Sequence, residues 1–368
     1  MKEGWEYRKL GEICDFRSGF AFKSNKFTKI GEPIIRISDI QNEKIDDSNL
    51  VYFDPKSYTE DLSKYLIYPD DILIAMSGGT TGKIGTNTSN RTYYLNQRVG
   101  VFRENKKYLN HRYLFYFLHT KSEESLKIAA GAAQPNLSTA QIKSFIIPVS
   151  HLSEQQRIVD YLDSAFAKID AMKANAEKAL NDAKALFQAS LKKMLEPKEG
   201  WEEKTIGDIL NLRRGHDLTH SQMNGCGYPV AGSNGRIGYH NSCTPISPCI
   251  TVGRSGSVGA VNIYKECWAH NTTLYIDDFK GNYPKYLYYL LKSIDLAHLN
   301  SGSAVPTLNR NFIHPIIVPY VKDIVAQQSI VATLDNIKSK VDKLQENYDK
   351  ISLECDALKQ AILRQVFE

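Results

Sequence analysis

The chain has 368 residues, 42% of them hydrophobic, which suffices for about two domains with sizeable cores. Its net charge of +5 and even composition exclude a disordered or fibrous protein, and no uninterrupted apolar stretch of about 18 residues marks a membrane span. The opening residues, Met1-Lys2-Glu3-Gly4-Trp5, carry an acid and no apolar run, so no signal peptide is expected. The scattered cysteines, Cys14, Cys226, Cys243, Cys249, Cys267 and Cys355, are then expected as reduced thiols of a cytoplasmic protein.

Taken in chain order, the sequence is one unit written twice. Gly4-Trp5-Glu6 returns as Gly200-Trp201-Glu202, and Leu10-Gly11-Glu12-Ile13 as Ile206-Gly207-Asp208-Ile209. Arg17-Ser18-Gly19 returns as Arg213-Arg214-Gly215. Strand-like runs follow at Pro33 to Ile37 and Asp71 to Met76, and in the second copy at Cys249 to Val252. The glycine-rich turn from Gly79 to Ile84 pairs with Gly256 to Val261, and the helical stretch Tyr113 to Leu118 with Tyr286 to Leu291. Gly131, Pro135 and Leu137 pair with Gly302, Pro306 and Leu308, and Gln155-Gln156 with Gln327-Gln328. A collinear series of this length is a duplication.

Each copy ends in a heptad helix. In the first, apolar or small residues recur at Ile158, Leu162, Ala165, Ile169, Met172, Ala176, Ala179, Ala183 and Leu186. In the second they are Ile330, Leu334, Ile337, Val341, Leu344, Tyr348, Ile351, Cys355, Leu358 and Ile362. Alternating steps of three and four are the seam of a coiled coil. Ser153 with Gln156 predicts a capping box, and Pro197 a stop. About 40 residues make a rod of roughly 60 Å. The first seam is rich in alanine and the second in large side chains, so the two helices are expected to pack antiparallel within one chain. The expected architecture is α+β: a mixed α/β globular domain (1–151), a long helix (152–197), a second such domain (198–322) and a second long helix (323–368), an internal repeat of pseudo-twofold character.

Motifs of catalysis are lacking. Ser77 to Ile84 is one residue short of a phosphate loop, and Ile84 stands where a magnesium-binding hydroxyl belongs. Such a turn either approaches a nucleic-acid backbone or is a plain hairpin. The cysteines lack the two-to-four-residue spacing of zinc sites, so no metal is expected. The basic excess lies in the globular parts: 21 Lys/Arg against 17 Asp/Glu over residues 1–152, and 11 against 9 over 197–321. That favours a polyanion met by those parts. Candidate nucleic-acid contacts in the first half are Arg17, Lys23, Lys26, Arg36, Lys83, Arg91, Gln97 and Arg98. In the second half they are Arg213, Arg214, Asn234, Arg236, His240, Arg254 and Asn271. Arginine and lysine suit guanine edges and phosphates, and the amides suit adenine edges. Tyr93 and Tyr94 read as core.

These features, Gly-Trp-Glu at 4–6 and 200–202, Gly131 to Leu137 and Gly302 to Leu308, and the glutamine pairs opening the helices, resemble the specificity subunit of type I restriction-modification systems. The resemblance covers essentially the whole chain. It implies two target-recognition domains, each reading one half of a split site in double-stranded DNA, and helices that space the halves and dock partners. It further implies two modification subunits, which methylate adenine using S-adenosylmethionine, and restriction subunits using ATP and magnesium. No cofactor and no catalysis are expected in this chain, and no membrane partner. The competing expectation is a non-catalytic coiled-coil adaptor whose globular ends bind proteins.

Overall fold

The structure, a computed structural model, describes residues 4–130, 136–223, 225–299 and 307–368. Gly131, Pro135, Gly302 and Pro306 lie outside the described residues. The chain divides into two compact units, one formed by 1–174 with 350–368 and the other by 175–349. Each unit therefore holds one globular domain and parts of both long helices.

In the first unit four antiparallel strands, Cys14–Ser18, Val99–Glu104, Ile72–Ala75 and Ile84–Thr86, are extended by a parallel pairing to Lys44–Ile45 and then by Ile40–Gln41. A five-stranded sheet, Phe27–Thr28, Val51–Phe53, Glu32–Ile35, Tyr93–Leu95 and Leu66–Ile67, packs an aromatic cluster of Phe22 and Phe53 with Tyr58 and Tyr94 around it. Tyr93 is fully buried and Tyr94 half-buried. In the second unit the equivalent antiparallel sheet runs Asn211–Arg214, Thr273–Asp278, Cys249–Gly253 and Val261–Tyr264. Beside it lies a smaller sheet of Gly235–His240, Tyr228–Gly232 and Trp268–Ala269. The all-buried runs Ile72–Ala75 and Cys249–Gly253 are the central strands of the two antiparallel sheets, which explains their unbroken apolar character.

Helices His111–Thr120 and Pro284–Ser293 bury the same face in both units. Tyr116 and Arg112 both reach Asp163 of the first long helix; Tyr289 (2.6 Å) and Lys285 (2.7 Å) both reach Asp335 of the second. Burial first, then the adjoining carboxylate, pushes both tyrosine hydroxyls above their ordinary range, so they stay protonated and donate. The repeated glutamine is a buried clamp. Gln155 accepts the Asn110 amide (2.8 Å) and donates to the carbonyls of Tyr108 (2.8 Å) and Ser150 (2.9 Å). Gln327 accepts the Tyr283 amide (2.8 Å) and donates to Asn282 Oδ1 (2.8 Å) and the Val321 carbonyl (2.9 Å).

The long helices are Leu152–Met194 and Ile324–Phe367. Within the first unit Lys359 meets Asp170 (2.6 Å), Lys173 meets Asp356 (3.2 Å), and the Cys355 thiol faces the Ile169 carbonyl (3.9 Å), an antiparallel pairing. Within the second, Lys184 meets Gln345 (2.7 Å). Leu363 and Phe367 enter the core of the first domain beside Leu162 and Val159, while Phe187, Leu191 and Leu195 enter that of the second beside Ile330, Val331 and Leu334.

The seam departs from the expected one at specific sites. Met172 (60% exposed), Leu186 (63%) and Leu358 (48%) face outward, as does Leu344. Lys173, Phe187, Gln345 and Lys359, one residue on, take the inward places. Adjacent helical residues sit about 100° apart, so both can border a seam. Lysine and glutamine cover apolar surface with their stems while their heads find partners, so apolarity alone selects the wrong neighbour. Ile158, Ile337, Tyr348, Ile351 and Ile362 are half-buried, as is Val341, while Leu162, Ile169, Ile330 and Leu334 are buried.

Three other expectations are corrected. Ser153 and Gln156 form no capping box: Ser153 faces His151 Nδ1 (2.9 Å), and Gln156 reaches Asn110 and Asp160 (both 2.8 Å). The second helix is instead capped by Asp323, which accepts the amides of Val325 and Ala326. Cys249 and Cys267 are not scattered but meet in one apolar cluster, a strand start against the residue before Trp268, with their Cα atoms 6.0 Å apart, within reach of a disulfide; Cys14, Cys226, Cys243 and Cys355 have no such partner. Finally, the glycine turns align one residue differently. Leu137 and Leu308 donate to the carbonyls of Met76 and Arg254 (2.7 and 2.8 Å), and Ser77 and Ser255 make equivalent bridges. Gly78, at φ 73°, therefore matches Gly256, at φ 80°, and the first turn holds one extra residue before Gly82 and Gly259.

Candidate nucleic-acid interface

The same backbone frame recurs at one end of each antiparallel sheet. In the first unit Gly19 donates to the Val99 carbonyl (3.1 Å), Phe20 to Leu95 (2.8 Å) and Met76 to Arg98 (2.8 Å). In the second Gly215 donates to Thr273 (3.0 Å), His216 to Ala269 (2.7 Å) and Arg254 to Thr272 (2.8 Å). Glycine is required at the crossing. A Cβ at Gly19 would stand 2.1 Å from the Leu95 carbonyl oxygen, and one at Gly215 would stand 2.1 Å from that of His270. Three loops thus converge: the strand end at 17–20, the turn at 76–83 and the segment 95–98, matched by 213–216, 254–259 and 269–272.

Equal backbone carries unequal side chains. Arg17 matches Arg213, Ser18 matches Arg214, Phe20 matches His216, Met76 matches Arg254, Gln97 matches Asn271, and Arg98 matches Thr272. Gln97, Arg98 and Lys83 are exposed. Arg17 pairs with Asp15 (2.8 Å), Arg213 with Asp277 (3.7 Å) and Arg214 with Asp217 (3.1 Å), all with the arginine about half exposed or more. Such solvent-exposed pairs are weak, so the guanidinium groups can turn to another anion at little cost. Asp217 also accepts from Asn271; that bond, then Arg214, holds its carboxyl below the usual range, so it stays an acceptor. Each edge therefore offers cationic donors and an amide, and the second adds a carboxylate, the group types that read phosphates and base edges.

Not every candidate joins this edge. Arg36 is bidentate to the buried Asp39 (3.1 Å to each oxygen) and donates to the Asn49 carbonyl, so it orders its own loop. Lys26 donates to the Ser57 carbonyl and lies over the Tyr58 ring (4.3 Å), while the Lys23 amide donates to the Tyr58 hydroxyl (2.9 Å). Arg91 faces Asp47 (3.8 Å). In the second unit Asn234 is the exposed tip of the hairpin whose Ser233 borders Gly253 and Gly256. Arg236 donates to the Tyr239 hydroxyl (2.6 Å), and the His240 ring packs on Trp268 (4.7 Å). Sequence reading missed His216 and Asp217. Their only signal was position, directly after the repeated Arg-x-Gly.

The sequence profile described as the type I restriction modification DNA specificity domain matches residues 2–181 and 198–353. The StySPI specificity subunit of Salmonella potsdam is 30% identical over 202 residues, 52% of this chain and 42% of that protein. The EcoKI specificity subunit of Escherichia coli K12 is 29% identical over 202 residues, again 52% and 42%. The chain thus spans less than half the length of these curated relatives. Among solved structures, a chain from work on complex assembly and conformational transition of the type I R-M system superposes with a TM-score of 0.76 at 18% identity, covering 99% of this chain and 97% of that one. The HsdS subunit of Thermoanaerobacter tengcongensis gives 0.54 at 19%, covering 100% and 97%. These two likenesses concern the fold.

Proposed function

Because this chain belongs to the type I restriction modification DNA specificity family, we propose that it is the cytoplasmic, non-catalytic DNA-reading subunit of a restriction-modification complex. Each unit reads one half of a bipartite, asymmetric site in double-stranded DNA, and the long helices dock two modification subunits and the restriction subunits. The observation that carries this reading is the repeated loop frame with divergent side chains. Arg17, Gln97, Arg98 and Lys83 serve the first half-site; Arg213, Arg214, Arg254 and Asn271 serve the second, with Asn234, Arg236 and His240 at its flank. Lys23, Lys26, Arg36 and Arg91 support loops or meet phosphates. Adenine methylation and ATP use belong to the partner subunits.

The test is binding of the chain with its modification subunits to duplexes carrying both half-sites, one, or neither. The half-sites are found beforehand by mapping methylated adenines in hosts with and without the gene. Preference for the intact site, with log affinity falling linearly in log salt, is expected. Affinity independent of sequence and salt would remove the reading and favour a protein adaptor.

A further inference from the structure

The second unit carries a carboxylate at a place where the first has none. Beyond Gly19 and Gly215 the two loops stay in register: Phe22 and Leu218 are both buried, and one short helical turn follows at Ser24–Lys26 and at His220–Gln222. Asp217 therefore stands where the first unit has exposed Ala21. An acid is unfavourable on a surface that meets a polyanion, since like charges repel. The Asp217 side chain is nonetheless 76% exposed. Its loop is held on both sides. The His216 amide donates to the Ala269 carbonyl (2.7 Å), and His270 Nε2 donates to the Leu218 carbonyl (3.1 Å). Asn271 Nδ2 and the Arg214 guanidinium (3.1 Å) both donate to Asp217 Oδ1, and among the described residues Oδ2 accepts no hydrogen bond.

We propose that Asp217 is a specificity-determining residue of the second half-site, whose Oδ2 accepts from the exocyclic amino group of one base, cytosine N4 or adenine N6. The inference rests on the DNA-reading function proposed above. An ionised carboxylate accepts and cannot donate. It therefore rejects phosphate oxygens and the acceptor atoms of guanine and thymine, and in the major groove those two amino groups are the donors that suit it. The bonds to Oδ1 fix the carboxylate before DNA arrives, so little freedom is lost on binding. Ala21 has no acceptor on its side chain, so the first half-site makes no such demand at the matching place.

The experiment titrates the chain, with its modification subunits, against duplexes in which each cytosine of the second half-site in turn is replaced by 2-pyrimidinone, or each adenine by purine, so that only the amino group is lost. At one position the wild-type complex should bind about tenfold more weakly, because the carboxylate is desolvated without a donor. The analogue that does so identifies the base. Asp217→Ala should bind the parent duplex and that analogue duplex equally, with unchanged melting temperature and unchanged responses at the other positions. Asn271→Ala should keep the response at that position. Responses retained at every position in Asp217→Ala would overturn the proposal while leaving DNA reading intact. Loss of the same response in Asn271→Ala would overturn the direct contact and make Asp217 a positioning residue for Asn271. A wild-type complex that binds no duplex would overturn the DNA reading and the role of Asp217 together.

Discussion

Replacing Phe367 with alanine should weaken the first globular domain, although that helix end stands 218 positions along the chain from Val149, the end of the domain's last strand. Phe367 is 7% exposed, and its ring lies 4.9 Å from Tyr113 and 5.8 Å from Phe117. A buried Phe→Ala change costs about 3–5 kcal/mol, and a helix end can relax into part of the space, so about 3 kcal/mol is expected. That is roughly a hundredfold in the opening equilibrium of the unit. Hydrogen exchange read by mass spectrometry resolves it. Amides of Ile72–Ala75, Val99–Glu104 and His111–Thr120 should exchange about two orders of magnitude faster, while those of Cys249–Gly253 and Pro284–Ser293 keep their protection. Leu195→Ala should do the reverse, because Leu195 sits in the second core. Unaltered protection in the first unit, or equal loss in both, would refute the assignment of helix ends to cores.

Other consequences follow from the same contacts. Gln155→Leu strands an amide and two carbonyls in the interior and should lower stability by about 2–4 kcal/mol in denaturant titrations, as should Gln327→Leu. Gly19→Ala and Gly215→Ala force a Cβ against a carbonyl oxygen, and each should cost about 1–3 kcal/mol or more and lower the melting temperature. Burial, with Lys359 nearby, holds the His119 imidazole below its ordinary pKa, although Glu43 at 4.0 Å opposes this. The neutral ring is thus favoured in the fold, and unfolding takes up a proton. The stability this gives the first unit is present above about pH 6.5 and fades as pH falls through that value toward the lower folded one. His119→Gln should flatten the fall between pH 7.5 and 5.5 seen in urea midpoints; an unchanged slope would assign it elsewhere.

The duplication, the two long helices and the central strands were legible because they rest on spacing and repetition. Gln155 and Gln327 stood out as a repeated pair, though not as buried clamps, since nothing local distinguishes a glutamine that ties a loop to a helix. The seam was half legible. Leu162 and Ile169 are inward, but Lys173 and Lys359 hold places that apolarity would assign to Met172 and Leu358. At the candidate interface, Arg17 and Arg213 were visible as partners within the repeat. Arg36 was not separable from them, because its role depends on Asp39 folding back to meet it. His216 was invisible because its counterpart is Phe20, and only the shared backbone frame shows that the two are equivalent.

Exchange of residues 1–151 for the matching domain of another family member, followed by mapping of methylated adenines, tests the central claim most directly. If each unit reads its own half, one half of the recognised sequence changes and the other is retained. Change in both halves, or in neither, would contradict the account.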